Sequence, residues 1–363
     1  MRALVAIAGG LGVLGWLRGR RIPLYPEPDS LIVEPATPAS AQRIEPGSIR
    51  LRWQREGERV RVYSGSSPET INRSQPLAEI MGTREIILEG FAAQTRSFFE
   101  LEFDDGHLEL VAERFLPLSS IANLRDLGGY PNDHGQQTRW NRVFRSASLA
   151  YASSEDLAQL EALGIRFICD LRTTEETAED PDRLPASADY LHAPAHSDTN
   201  RMERLRVLLF KRRRLIEFMQ HLYIHSMLEE NASAFGDALR PLADPDNLPA
   251  IIHCAAGKDR AGLAAALLLR TLGVAEEIVI ADYTLSNHFY EYFRTITRKV
   301  IRPLAYFGIR EEELIPLLTA HPENIRAALE YLEAQYGGVN RYLVERAGLT
   351  HETLLRLREN LLL

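Results

Sequence analysis

The sequence has little cysteine, no apparent internal repeat and no surplus of positive charge. Only Cys169 and Cys254 occur in 363 residues. Two thiols cannot build a disulfide framework or a cysteine-based zinc site. None of the usual ligand spacings appears, so no metal or other cofactor is expected. The net charge of −8 argues against nucleic acid as a bulk partner. The hydrophobic fraction of 45% and charged fraction of 25% are those of an ordinary soluble globular protein. The chain is too long for one compact domain of average size, so two domains plus an extension are expected.

Long apolar runs are short in supply as well. Ala3 to Leu17 is apolar and Gly-rich, with Arg2 before it and Arg18-Gly19-Arg20-Arg21 after it. A spanning helix needs about 20 residues. An uncleaved membrane anchor over residues 1–21 is the expectation, and a cleaved signal peptide is the alternative, although the segment lacks a clear small-x-small cleavage site. The cluster after the segment favours a cytoplasmic C-terminal side, while Arg2 and the amino terminus compete from the other end. Residues 22–47 hold Pro23, Pro26, Pro28, Pro35, Pro38 and Pro46 and read as an extended linker.

From Ser48 the pattern becomes period two. Ile49, Leu51 and Trp53 alternate with Arg50, Arg52 and Gln54. Val60 and Val62, Ile86 and Leu88, then Phe99 and Leu101 come next, and after the Asp104-Asp105-Gly106 turn come Leu108, Leu110 and Ala112. Short alternating strands with turn signals predict a small all-β sandwich over residues 48–118. Its two readings are a recognition or spacer module, and a packing partner that positions the second domain.

Residues 119–363 form the expected second domain, organised around His253-Cys254-Ala255-Ala256-Gly257-Lys258-Asp259-Arg260-Ala261-Gly262. Leu248-Pro249-Ala250-Ile251-Ile252 reads as a short apolar strand behind a proline, and Leu263 to Leu272 as a helix stopped by Gly273. A loop entering a helix N-terminus aims backbone N–H groups and the positive end of the helix dipole at one spot. A phosphate dianion fits such a nest. The same field, with Lys258 and Arg260, favours the thiolate of Cys254. Arg260, six residues on, can return a planar fork to two phosphate oxygens, which a lysine cannot match. Gly257 permits a backbone angle that other residues resist. The competing reading is an inert cysteine at a strand end with solvated charges nearby.

The helix–strand pair Ser154 to Leu163 and Ile165 to Leu171 should lie beside the strand before Cys254 in a parallel sheet, making the domain α/β. Asp170 and Arg172 then sit at a C-terminal strand end, where such sheets place ligands, so Asp170 is a rival acid or positioner. Arg125 and Asp126 are either supports of the cradle or an ion pair holding a turn. Cys169 reads as core. The Arg-rich stretch 201–214 is either a solvated helix face or a basic lid drawn to acidic lipid headgroups or phosphopeptides. Tyr283 to Ile296, Pro322 to Tyr336 and His351 to Leu362 read as scaffold helices.

The segment 253–262 resembles the Cys-x5-Arg loop of protein tyrosine phosphatases, in the form of the bacterial and fungal tyrosine/lipid phosphatase subgroup. Asn123-Leu124-Arg125-Asp126-Leu127-Gly128-Gly129-Tyr130 resembles that subgroup's opening motif, and Phe144-Arg145-Ser146 and Cys169-Asp170-Leu171-Arg172 fall in family-like order. The resemblance covers about residues 119–363. The earlier strands look like a fibronectin type III-like module. What the resemblance implies is a phosphatase without cofactor. Cys254 would be the nucleophile and Arg260 the phosphate fork. Asp259 would be the acid, with Asp170 second. The amides from Ala255 through Gly262 would cradle the phosphate, and His253 would tune the thiol or satisfy a buried group. Substrates would be phosphotyrosine proteins and phosphoinositides, the latter helped by Lys258, with a membrane surface as partner. One departure stands out: the family usually has Thr or Ser after the arginine, where this chain has Ala261. That hydroxyl is thought to help the sulfur leave, so slow turnover of the phosphoenzyme is expected.

Overall fold

In the computed structural model, the structure describes residues 25–56, 59–196, 207, 214–302 and 309–363. The apolar segment 1–21 lies outside them, as does the Arg-rich stretch 201–214 apart from Val207 and Arg214. Among the described residues no helix is long and apolar enough to cross a membrane. The chain divides into two compact units, one of residues 35–194, 237–279 and 349–363, the other of residues 1–34, 195–236 and 280–348.

The first unit opens with two antiparallel sheets. One pairs β1 (Ala39–Glu45), β2 (Ser48–Trp53) and β5 (Glu85–Glu89) in the order β1-β2-β5. The other pairs β3 (Arg59–Gly65), β4 (Ala78–Met81), β6 (Phe98–Phe103) and β7 (Leu108–Ala112) in the order β4-β3-β6-β7. The inward positions of both meet in one cluster: Ile49, Leu51, Trp53 and Leu88 from the first, Val60, Val62, Phe99, Leu101 and Val111 from the second. Full burial of each such side chain stabilises by about 1.5–3 kcal/mol. Strand β1 lies inside the stretch 22–47 expected to be a linker, which corrects that boundary. Its apolar alternation is carried by Ala39 and Ala41, too small to register as a strand pattern.

The same unit continues into a five-stranded sheet of order β11-β10-β12-β9-β8. Its strands are β8 (Arg125–Asp126), β9 (Val143–Ser146), β10 (Phe167–Asp170), β11 (Asp189–His192) and β12 (Ala250–His253). Strands β9 to β12 pair in parallel, and β8 pairs antiparallel at the edge. Their registers put Asp170 beside His253 and His253 beside Ser146 at one sheet end. Helix α1 (Ser154–Ala162) is capped by Ser153, and α2 (Thr174–Glu179) by the Thr173/Glu176 capping box. Helix α3 (Arg260–Thr271) begins earlier than its apolar run suggests, so Asp259 is its N-cap and Arg260 its first residue.

The second unit is mostly helical. Tyr223 Oη and Tyr283 Oη lie 2.6 Å apart in its interior. Glu229 accepts from Tyr331 and Tyr336 at 2.9 and 2.7 Å. The expected helix from Tyr283 to Ile296 is broken: a 3-10 turn, Leu285–Phe289, precedes a helix from Tyr290 to Ile301. Within that turn Asn287 exchanges side-chain bonds with the backbone of Ala320.

Candidate active site

Strand β12 delivers His253, and α3 starts at Arg260; the loop between them is held from outside by its carbonyls. Ser148 N donates to Ala255 O at 3.3 Å, and Asn123 Nδ2 to Ala256 O at 3.1 Å. One guanidinium nitrogen of Arg145 donates to Gly257 O at 2.7 Å and Lys258 O at 3.0 Å. In a planar trans peptide the N–H points opposite the C=O. Four outward-bound carbonyls therefore turn the next four amides, Ala256 to Asp259, toward the other side. Gly257 sits at φ +65°, and a Cβ there would stand 2.4 Å from the Ser146 carbonyl, so only glycine fits.

Cys254 is 2% exposed at the start of this loop. Arg260 reaches back along it. Its two terminal nitrogens donate to Glu176 at 2.6 and 2.9 Å, and one also donates to Leu171 O at 3.2 Å. Nε makes no hydrogen bond among the described residues, leaving that edge of the fork for an anion. Burial alone would pull the guanidinium down, but Glu176 and the Cys254 sulfur hold it above its ordinary value. Burial would likewise raise Glu176, yet the bond and charge of Arg260 hold it below the ordinary carboxylate range. Lys258 is buried, with Nζ 3.6 Å from Asp259 Oδ1, while the Asp259 side chain is 26% exposed. Ala261 and Gly262 are buried in the first turn of α3.

Asp170 takes a different place from the one expected of an acid. It is fully buried, and Arg172 grips it through Nε and a terminal nitrogen at 2.9 and 2.7 Å. Burial pushes its carboxyl up, but His253 and Arg172 outweigh this and hold it well below the usual range. It is thus a carboxylate with no proton to give near neutral pH. His253 Nε2 lies 3.2 Å from Asp182 Oδ2 and 3.8 Å from Asp170 Oδ1. The three side chains are close enough to hold an ion. A single Arg172 nitrogen, however, stands 2.7 Å from Asp170 and 2.6 Å from Asp182, and its charge already occupies the role of a cation.

Arg125 is fully buried and donates to Asn123 Oδ1, so it acts on the loop through Asn123. Asp126 accepts from Gly128 N, Asn141 N and Arg96, none of them a residue of the loop. Cys169 is fully buried, and burial pushes its thiol up, well above the ordinary range. Sequence reasoning missed Glu176, Asp182, Arg145 and Asn123 as neighbours of the loop. The Thr173-x-x-Glu176 box was legible as a helix start, but nothing local pairs Glu176 with an arginine 84 residues away.

A model of the tyrosine phosphatase family matches residues 116–363. A protein of Cupriavidus necator bearing a tyrosine-protein phosphatase name is 30% identical over 230 residues, covering 63% of this chain and 82% of its own. The triple specificity protein phosphatase PtpB of Mycobacterium tuberculosis is 27% identical over 280 residues, covering 66% and 96%. Among solved structures, TpbA of P. aeruginosa bound to phosphotyrosine is similar at 14% identity and a TM-score of 0.26, covering 54% of this chain and 88% of that one. With the family model spanning more than half the chain, this protein belongs to the tyrosine phosphatase family and is a cysteine-dependent phosphatase, a phosphoric monoester hydrolase.

Proposed function

We propose that Cys254 is the nucleophile of a two-step hydrolysis. Its sulfur attacks phosphorus, a P–S bond forms as the ester P–O bond breaks, and Asp259 gives its proton to the departing oxygen. Water then attacks phosphorus, Asp259 takes up a proton from it, and the P–S bond breaks to return the thiolate and inorganic phosphate. Arg260 and the amides of Ala255 to Gly262 hold the equatorial oxygens as charge redistributes. The observation that supports this reading is the binding of four successive loop carbonyls by groups outside the loop, which turns the Ala256 to Asp259 amides away from those groups, with the Nε of Arg260 unbonded among the described residues. Partial exposure of the Asp259 side chain supports it as the acid over the buried, ion-paired Asp170.

The substrates are phosphotyrosine proteins, with phosphoinositides as a second class supported by Lys258 in the loop. The PtpB relative is named for triple specificity, which favours a broad site. The sandwich, fibronectin type III-like in its strand pattern, packs against the catalytic sheet and supports it. Attachment through residues 1–21, with 201–214 as a basic lid, would put the site near acidic headgroups; both proposals stand on sequence. Flotation of the full chain with and without residues 1–21 on anionic vesicles checks the first.

The test of the acid is Asp259→Asn. Hydrolysis of an alkyl phosphate should fall by about 10²–10⁴-fold, and of an aryl phosphate with a good leaving group by far less. Equal losses on both would remove Asp259 from the role.

A further inference from the structure

The residues matched by the family model begin at 116, yet a buried arginine from the sandwich reaches into them. Arg96 precedes β6 and is 7% exposed. Its Nε donates to Glu113 O at 2.8 Å. One terminal nitrogen donates to Asp126 Oδ2 at 2.8 Å and to Asn141 Oδ1 at 2.6 Å. Its guanidinium carbon stands 4.7 Å from the ring centre of Phe98 and 5.3 Å from that of Trp140. Phe98 belongs to the sandwich and Trp140 to the family-matched part, and with Ala112 they form one buried cluster. Trp140 Nε1 closes the seam by donating to Leu110 O of β7 at 3.2 Å.

What Arg96 grips is the 123–130 turn, whose first residue, Asn123, bonds the phosphate loop. Asp126 Oδ1 accepts from Gly128 N and Oδ2 from Asn141 N, both at 2.8 Å. Gly129, at φ +77°, lies so close to the Trp140 ring that any Cβ would overlap it. Arg114 adds a second strap: it donates to Asp126 O and Gly128 O at 2.8 Å and lies 3.8 Å from the Tyr130 ring centre. One residue before Asp126, Arg125 bonds Asn123, and Asn123 bonds the Ala256 carbonyl of the loop.

We propose that Arg96 is a positioning residue for catalysis: through Asp126 and the 123–130 turn, the sandwich sets the orientation of the Ala256–Gly257 peptide in the phosphate loop. A planar guanidinium suits this seam. It can bond a carboxylate and two other oxygens in its plane while lying against two aromatic rings. The proposal rests on the reading of 253–262 as a phosphate-binding loop, and orthovanadate binding by the unmutated chain checks that reading separately.

The test compares the full chain with Arg96→Met and Arg96→Lys. Misplacing a loop amide by a fraction of an ångström should cut kcat for an aryl phosphate by ~10- to 100-fold in both variants. KM for the small substrate should change little, and the Ala255 to Asp259 amides should exchange hydrogen faster. Asp126→Asn should add little to Arg96→Met, because the two act as one unit. A folded Arg96→Met with unchanged kcat, vanadate affinity and loop exchange would overturn the proposal. Should both variants fail to fold, native-state hydrogen exchange of the unmutated chain decides. The 124–129 amides should then open together with β6, and opening of β6 while the turn stays protected would contradict it.

Discussion

Arg172 and Arg260 come after neighbouring parallel strands, β10 and β12, and have opposite surroundings. Arg172 is 2% exposed and is matched by two carboxylates, Asp170 at 2.7 Å and Asp182 at 2.6 Å. Arg260 is held by one, Glu176, on its two terminal nitrogens, and its Nε makes no hydrogen bond among the described residues. A buried charge that finds all its counter-charge within the protein is fixed, and its loss strands the partners. A guanidinium that keeps one donor nitrogen unbonded suits an anion that comes and goes. The difference fits a structural role for Arg172 and, on the proposed reading, a phosphate-binding role for Arg260, although both sit where such sheets place ligands.

The contrast breaks if the two respond alike to mutation. Arg172→Met should lower folding stability by about 3–5 kcal/mol in urea titrations, because Asp170 and Asp182 remain buried without their partner. A loss under about 1 kcal/mol would show that the cluster relaxes or admits water. Arg260→Lys should do the reverse: kcat/KM for an aryl phosphate falls by about 10²–10³-fold with little change in the melting temperature.

Glu176→Gln sharpens the comparison by loosening the one carboxylate on Arg260. About a ten-fold drop in kcat/KM is expected as the fork loses its aim. The pH dependence comes from the Glu176 carboxyl lying below its ordinary range. A depressed carboxylate contributes stability that is fully present above the unfolded-state value of about 4.3 and is lost as pH falls through the lower folded value. The melting-temperature gap between wild type and Glu176→Gln should therefore be flat from about pH 7 to about pH 5 and shrink below about pH 4. A gap that widens on acidification would contradict the assignment. The smallest effect is expected from Ala261→Ser. If the missing hydroxyl slows release of the sulfur, kcat rises a few-fold, on the order of the 0.5–1.5 kcal/mol a net hydrogen bond contributes. Since Ala261 is fully buried, an unchanged kcat with intact folding would assign turnover to another step.

The stretch 253–262 was legible as a candidate phosphate loop because its residues are contiguous. Cys254, Gly257, Lys258, Asp259 and Arg260 lie on one short stretch between a strand and a helix, and local rules place them together. Glu176 and Asp182 were not legible, because Arg260 at the start of α3 and His253 at the end of β12 are far off in sequence and only the fold brings them near. Of the two readings of Asp170, acid or positioner, its ion pair disfavours the acid, for a related reason. Its position at a strand end is readable, but the return of Arg172 to grip it depends on burial that the sequence does not print. Strand β1 hid behind alanines, and the break at Leu285–Phe289 hid behind an aromatic run. The sandwich strands were readable from their alternation, whereas the role of Arg96 arises only where β6, Trp140 and Asp126 meet.

The most direct test of the central claim is rapid-quench hydrolysis of an aryl phosphate by the full chain and by Cys254→Ser, with the quenched protein mapped by mass spectrometry. Steady turnover with a phosphoryl group trapped on the Cys254 peptide is predicted, with at least about a 10⁴-fold loss in the serine variant while vanadate or phosphate still binds. Turnover surviving in Cys254→Ser, or a phosphoryl group trapped on another residue, would contradict it.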